Sequence, residues 1–381
     1  MSDQTFAELE NVQRTAGPAA TLEHLSASLR SDKRFHDLFD ALLLKKRHEL
    51  GLSLTRATLD DVPASQYEAF QTAYLAAAKE VGELLLADGN IRDAWMYLKP
   101  VKETKQVAAA IEKLSPEQVD EDVINIAFFQ GVAPIAGVKM LLASHGTCST
   151  ITSFDQQIMN MAPADRKGCA AILVNELYKQ LRDTLEHEVR RRQPMVQPGQ
   201  SIRELIAGRD ELFAEDAYHI DVSHLNGVVR FARSLESDSS ELKLAVQLAQ
   251  YGSRLATQYQ YASNPPFDDF YPSHIQFFRV LQGDGREEGL TYFREKLGPD
   301  VNDQTNQMTA FVLVDLLQRV GRQDEALDLA CQYLARSADE FGLSIAEMCS
   351  DAGQYDRLLQ MARDQGDVIT FTTALLSRPS K

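Results

Sequence analysis

The stretch Tyr218-His219-Ile-Asp221-Val-Ser-His224 sets two histidines and a carboxylate close together along the chain. Neutral imidazole and carboxylate are ligands for zinc or a related divalent cation, and the same groups can act as general acid and base. His145-Gly-Thr-Cys148, on an expected loop after a helix, could supply two more ligands. A second expectation is purely structural. Asp221 is a good N-cap for a helix carrying Leu225 and Val228, with His219 before the cap and His224 in the first turn. The spacing matches no recognised metal motif, so capping is the reading the sequence favours. His187-Glu188 lacks the second histidine of a metalloprotease helix. Its two side chains also point different ways, with Glu188 near the apolar face and expected to meet Arg191 or Arg192.

Two other groupings could bind rather than react. Arg190-Arg191-Arg192, rivalled by Lys45-Lys46-Arg47, could hold a phosphate or an acidic peptide. Cations at the end of a helix also complement its dipole, and that reading is preferred. Tyr259, Tyr261, Phe267, Phe270, Tyr271, Phe277 and Phe278 concentrate aromatic rings around the acidic, proline-containing stretch 264–269. Exposed, Tyr261, Phe267, Phe270 and Tyr271 would receive a basic or proline-rich peptide. Buried, the group would seal a joint between segments, the preferred expectation because large rings are usually inside. Met159, Met161 and Met195 read as core filling. GxGxxG, GxxxxGK, HExxH and GxSxG are absent, so no enzyme class follows from motif.

The elements that must position these residues are helices. Leu173, Leu177, Leu181, Leu185 and Val189 recur every four residues on one helical face. Leu225, Val228, Val229 and Ala232 follow the amphipathic rule, as do Leu313, Leu316, Leu317 and Val320. Strand alternation is scarce. Helices are expected at 101–113, 166–192, 202–213, 222–235 and 241–261.

A glycine followed five residues later by a small or apolar residue recurs: Gly89 to Ala94, Gly131 to Ala136 and Gly321 to Ala326, with looser copies at Gly285 and Gly353. A glycine can end one helix in the left-handed conformation. Acidic residues suit the start of the next, and a small residue one turn in lets two helices pack closely. The separations are 42 residues (89 to 131), 36 (285 to 321) and 32 (321 to 353). With Gly82 seven residues before Gly89, and with Gly321-Arg-Gln-Asp-Glu-Ala326-Leu327, the chain resembles the tetratricopeptide family over about 79–142 and 275–375. The later copies lack the first glycine, and the closing proline of the family pattern is missing. The resemblance implies stacked antiparallel helical hairpins, a TPR-like superhelix that binds a peptide or protein segment without catalysis.

Composition narrows the classes. The 381 residues are 44% hydrophobic and 25% charged, the balance of a folded globular protein. A formal charge of −16 disfavours nucleic acid. No apolar run reaches the ~18 residues of a membrane span. Four cysteines without a CxxC pair fit a reducing compartment. The expectation is therefore an all-α, cytoplasmic interaction or scaffold protein without cofactor, whose partner is a protein or peptide. Helical hairpins are expected over 1–146, an irregular helical middle over 147–266, and further hairpins over 267–381. The alternative is a metal-dependent enzyme or small-ligand-binding protein, using zinc or another divalent metal at His145, Cys148, His219, Asp221 and His224.

Overall fold

Seven α-helices of the described chain start where a short polar side chain accepts a backbone N–H that has no partner within the helix. Asn90, Asp120, Ser201, Asp221, Asp303, Ser344 and Asp367 each do so. The structure is a computed structural model and describes residues 3–55, 61–193, 197–260, 263–335 and 337–378. It is all-α, with no strand among the described residues, and no helix of the described chain is long and apolar enough to cross a membrane. The chain divides into two compact units at Gly146 and Thr147.

The first unit contains α1 (Asp3–Ser31), α2 (Phe35–Glu49), α3 (Ala64–Ala87), α4 (Ile91–Val101), α5 (Thr104–Ile111) and α6 (Glu121–Ile124). A π turn, Asn125–Phe129, follows, and then α7 (Pro134–Gln157), which kinks at Gly146, the last residue of the unit. Consecutive helices α1 to α4 pack on one another. Between α3 and α4 the chain reverses at Gly89, whose φ of 84° is costly for a residue with a Cβ. Ala94 is then fully buried, and Gly82 lets Leu98 come so close that an added Cβ would stand 2.5 Å from its Cγ. The Gly131 copy differs by one position. Gly137, not Ala136, is the close-packed residue, pressed against the backbone of Phe128 beside the π turn.

The second unit is organised first around α8 (Pro163–Arg192), whose face of Leu173, Leu177, Leu181, Leu185 and Val189 is buried. Onto it pack α9 (Ile202–Ile206), α10 (Val222–Phe231) and α11 (Glu241–Gly252). The expected helices at 202–213 and 241–261 stop well short of their patterns. The segment after Ile206 becomes a 3-10 turn, Asp210–Asp216, and α11 stops at Gly252, where the buried ring of Tyr271 lies against the glycine. That contact joins α11 to α12 (Phe270–Gln282). Then follow α13 (Arg286–Glu295), α14 (Gln304–Arg319), α15 (Gln323–Tyr333), α16 (Ile345–Asp351), α17 (Tyr355–Gln365) and α18 (Val368–Ser377). Each of these packs on the next. The turn at Gly321 and the fully buried Ala326 repeat the arrangement of Gly89 and Ala94. Met159 corrects an expectation. It is 81% exposed, because residues 158–160 form the 3-10 turn that carries the chain from α7 to α8 over the surface. Met161 is half-buried, and Met195 lies outside the described residues.

Candidate functional site

The histidine string separates into distinct jobs. Asp221 caps α10, its Oδ1 accepting from the Ser223 and His224 backbone N–H groups at 2.8 and 3.2 Å and from the Ser223 hydroxyl. The Ser223 hydroxyl, with the cap bonds, holds the Asp221 carboxyl below its ordinary range. His219 is half-buried and turned to Tyr251, whose hydroxyl meets its Nδ1 at 3.1 Å and accepts its backbone N–H at 2.8 Å. Burial, reinforced by Arg192, lowers the His219 pKa. His145 hydrogen-bonds Ser144 at 2.7 Å and stands 3.4 Å from Glu121, while Cys148 is exposed. Among the described residues no three His, Cys, Asp or Glu side chains gather as a metal-binding set. The residues of the metal alternative thus form no such set: Asp221 Oδ1 is engaged at the helix start, and His219 is held by a phenol. Asp221→Ala is expected to cost about 1 kcal/mol in urea unfolding, and Asp221→Asn to restore most of it, because a cap needs an oxygen rather than a charge.

The arginine triplet is paired within its own helix, three guanidinium groups against two carboxylates. Arg190 pairs with Glu186 at 2.6 Å, and Glu188 receives Arg191 at 3.0 Å and Arg192 at 2.8 Å. An anion would have to displace these carboxylates, so a ready phosphate site is not what this helix end offers. Phe267, Phe270 and Tyr271 are buried, which corrects their reading as an exposed peptide platform. Phe267 and Phe270 flank the ring of His274, each at 4.4 Å between centroids, and Tyr271 donates its hydroxyl to Asn226. Tyr261 lies outside the described residues. A shallow groove of about 560 Å³ between α8 and α11 is lined by Asn175, Tyr178 and Arg182. All three are already engaged, with Glu241, Gln247 and Asp183 respectively.

The first unit holds the more open constellation. Phe39 of α2, Tyr74 of α3 and Tyr97 of α4 bring one half-buried ring each to a common patch. Phe39 meets Tyr74 edge-on at 5.3 Å and Tyr97 at 5.0 Å. His36, exposed beside them, hydrogen-bonds Tyr97 Oη through Nδ1 at 2.8 Å, and its Nε2 stands 3.3 Å from Asp93 Oδ2. Burial, then the charges of Asp40 and Asp93, raise the Tyr97 pKa, so the phenol stays protonated. A carboxylate, imidazole and hydroxyl in a row resemble a nucleophile relay, but a hydroxyl whose pKa is raised is poorly suited to attack. It is well suited to donate a hydrogen bond. Aromatic rings rimmed by carboxylates at a surface are binding chemistry.

The signal for this patch was present but diffuse. Asp93 and Tyr97 stand four apart, and His36 has Phe39 three and Asp40 four residues later, so each set shares a helix face. Nothing in the sequence states that the two faces meet. No protein-family model matches the chain, and neither does any curated protein or solved structure.

Proposed function

We propose that this is a non-catalytic interaction protein, acting in the cytoplasm, that holds a segment of another protein against a surface of TPR-like helical hairpins. The observation that carries the reading is the patch of Phe39, Tyr74 and Tyr97 with His36 and Asp93. Three successive helices supply it, so its rings are fixed by the packing of helices rather than by a loop, and little conformational entropy remains to be lost on binding. Half-buried tyrosines offer apolar area together with a polar tip, the composition of interface hot spots. The carboxylates of Asp40 and Asp93 suit a segment carrying lysine, arginine or a proline-rich turn beside a cation.

The test is fluorescence anisotropy of the intact chain against labelled synthetic peptides, basic, proline-rich and acidic. A basic or proline-rich peptide is expected to bind, and Phe39→Ala/Tyr97→Ala to weaken it by tenfold or more, about 1.4 kcal/mol. Circular dichroism of the variant separates lost binding from lost folding. Equal binding by parent and folded variant, or binding of the acidic set alone, would remove the patch from the proposal.

A further inference from the structure

The last described helix turns an apolar face to solvent. α18 packs on α16 and α17 and buries Ala374, yet Val368, Ile369, Leu375 and Leu376 are between 54% and 80% exposed. With the exposed Thr372 they follow the i, i+1, i+4, i+7, i+8 spacing of a helix face that ordinarily lies against a neighbour. The five span about 120° of the helix surface, so they form one stripe rather than scattered exposures. An outermost helix of a stack ordinarily shows water a polar face instead. Val368–Ser377 contains no charged residue at all.

We infer that α18 is a homodimer interface, in which two copies of the chain pack these stripes antiparallel about a two-fold axis at Thr372. Three features select a second copy. First, the stripe reads the same in both directions: counted from Thr372, its apolar positions lie at −4, −3, +3 and +4. The axis sets Val368 against Leu376 of the other copy and Ile369 against Leu375, the self-complementarity that an isologous contact needs. A hollow of about 210 Å³ beside Val368, lined also by Ala362, Gly366 and Phe371, gives that Leu376 a seat. Second, the charges at the two ends are opposite. Asp367 caps the start of α18, and Arg378 follows its end, 3.0 Å from Asp356 of α17. Antiparallel copies bring the Asp367 end of one to the Arg378 end of the other twice over, with opposed helix dipoles. Third, the chain carries a formal charge of −16, so two copies meet at least electrostatic cost where neither presents a charge. Five side chains are few against the ~20–30 residues per side of a standard interface, so the dissociation constant is on the order of tens of micromolar.

Sedimentation equilibrium of the full chain from about 1 to about 200 µM, a range bracketing that constant, is the test. The expected result is a reversible monomer–dimer equilibrium that Ile369→Lys/Leu376→Lys weakens by about tenfold or more. Both positions are exposed, and circular dichroism checks that the variant folds. The two-fold geometry is read from single cysteines placed in a Cys148→Ser background, which removes the exposed native thiol. Thr372→Cys is expected to join two copies through position 372 under mild oxidation, as mapped on unreduced peptides. Thr373→Cys, exposed but turned about 100° away, is expected not to. A chain still monomeric at about 200 µM overturns the inference and leaves the stripe to a different protein. So does a dimer that the folded lysine variant leaves intact, or cross-linking at 373 as readily as at 372. The cysteine pair decides the matter alone if the lysine variant fails to fold.

Discussion

Gly252→Ala is expected to lower the free energy of unfolding by about 3 kcal/mol, although the same change inside a helix ordinarily gains about 1 kcal/mol. The sign is reversed by the ring of Tyr271. A Cβ on Gly252 would lie 2.1 Å from Tyr271 Cε1 and 2.3 Å from its Cζ, distances no repacking of the methyl itself can relieve. The ring cannot easily retreat, because Tyr271 is fully buried and its hydroxyl donates to the buried Asn226. Moving it breaks that bond and leaves a desolvated amide oxygen without its donor, a cost of about 1–3 kcal/mol by itself. Urea denaturation measures the effect. In the double variant Gly252→Ala/Tyr271→Leu the two losses should be markedly less than additive, since the steric conflict disappears with the ring. A Gly252→Ala protein as stable as the parent would mean that α11 and α12 do not meet at this glycine.

His274→Phe is expected to flatten the stability of the protein between pH 6.5 and pH 5. His274 is 1% exposed and is flanked by Phe267 and Phe270. Its Nδ1 meets the Phe270 carbonyl at 2.6 Å, and its Nε2 has no hydrogen-bond partner. Burial first, then the charges of Arg233 and Arg230, push its pKa down to about 3. The unfolded chain takes up a proton near pH 6.5 that the folded chain refuses until near pH 3. Its contribution is therefore fully present above pH 6.5 and is lost as the pH falls, at about 1.4 kcal/mol per pH unit. Above the range where carboxylates titrate, that amounts to about 2 kcal/mol between pH 6.5 and 5. His219, also lowered but half-buried, adds a smaller slope of the same sign, which remains in the variant. Phenylalanine binds no proton and leaves no unpartnered nitrogen, so the variant should be at least as stable as the parent at pH 7. Denaturant melts at several pH values test this, and a slope unchanged by the substitution would refute it.

What was legible in the sequence is what neighbours along the chain decide. The stripe Leu173, Leu177, Leu181, Leu185 and Val189 is buried throughout, because a helix face is fixed by residues one turn apart. The Asp221 cap was equally local, and so were the meetings of Glu188 with Arg191 and Arg192. Helix ends set from outside were not legible: the pattern running to 261 gives no hint that α11 ends at Gly252 beneath a ring from another helix. The aromatic groupings teach the same lesson in opposite directions. Rings dense along the chain, such as Phe267, Phe270 and Tyr271, are packed inside. The rings that form a surface patch, Phe39, Tyr74 and Tyr97, are scattered over three helices and converge only when those helices pack.

The self-pairing of Arg190, Arg191 and Arg192 with Glu186 and Glu188 also bears on how fast partners arrive. An unpaired arginine triplet would project a local positive lobe through a field that is otherwise negative, with a formal charge of −16. Set against two carboxylates within a few ångströms, the triplet keeps a net charge of only +1, too little to reverse the negative long-range potential. Encounter with a cationic segment is steered and accelerated, encounter with an anionic one is slowed, and salt erodes the difference. The helix end thereby influences association rates without contacting any partner.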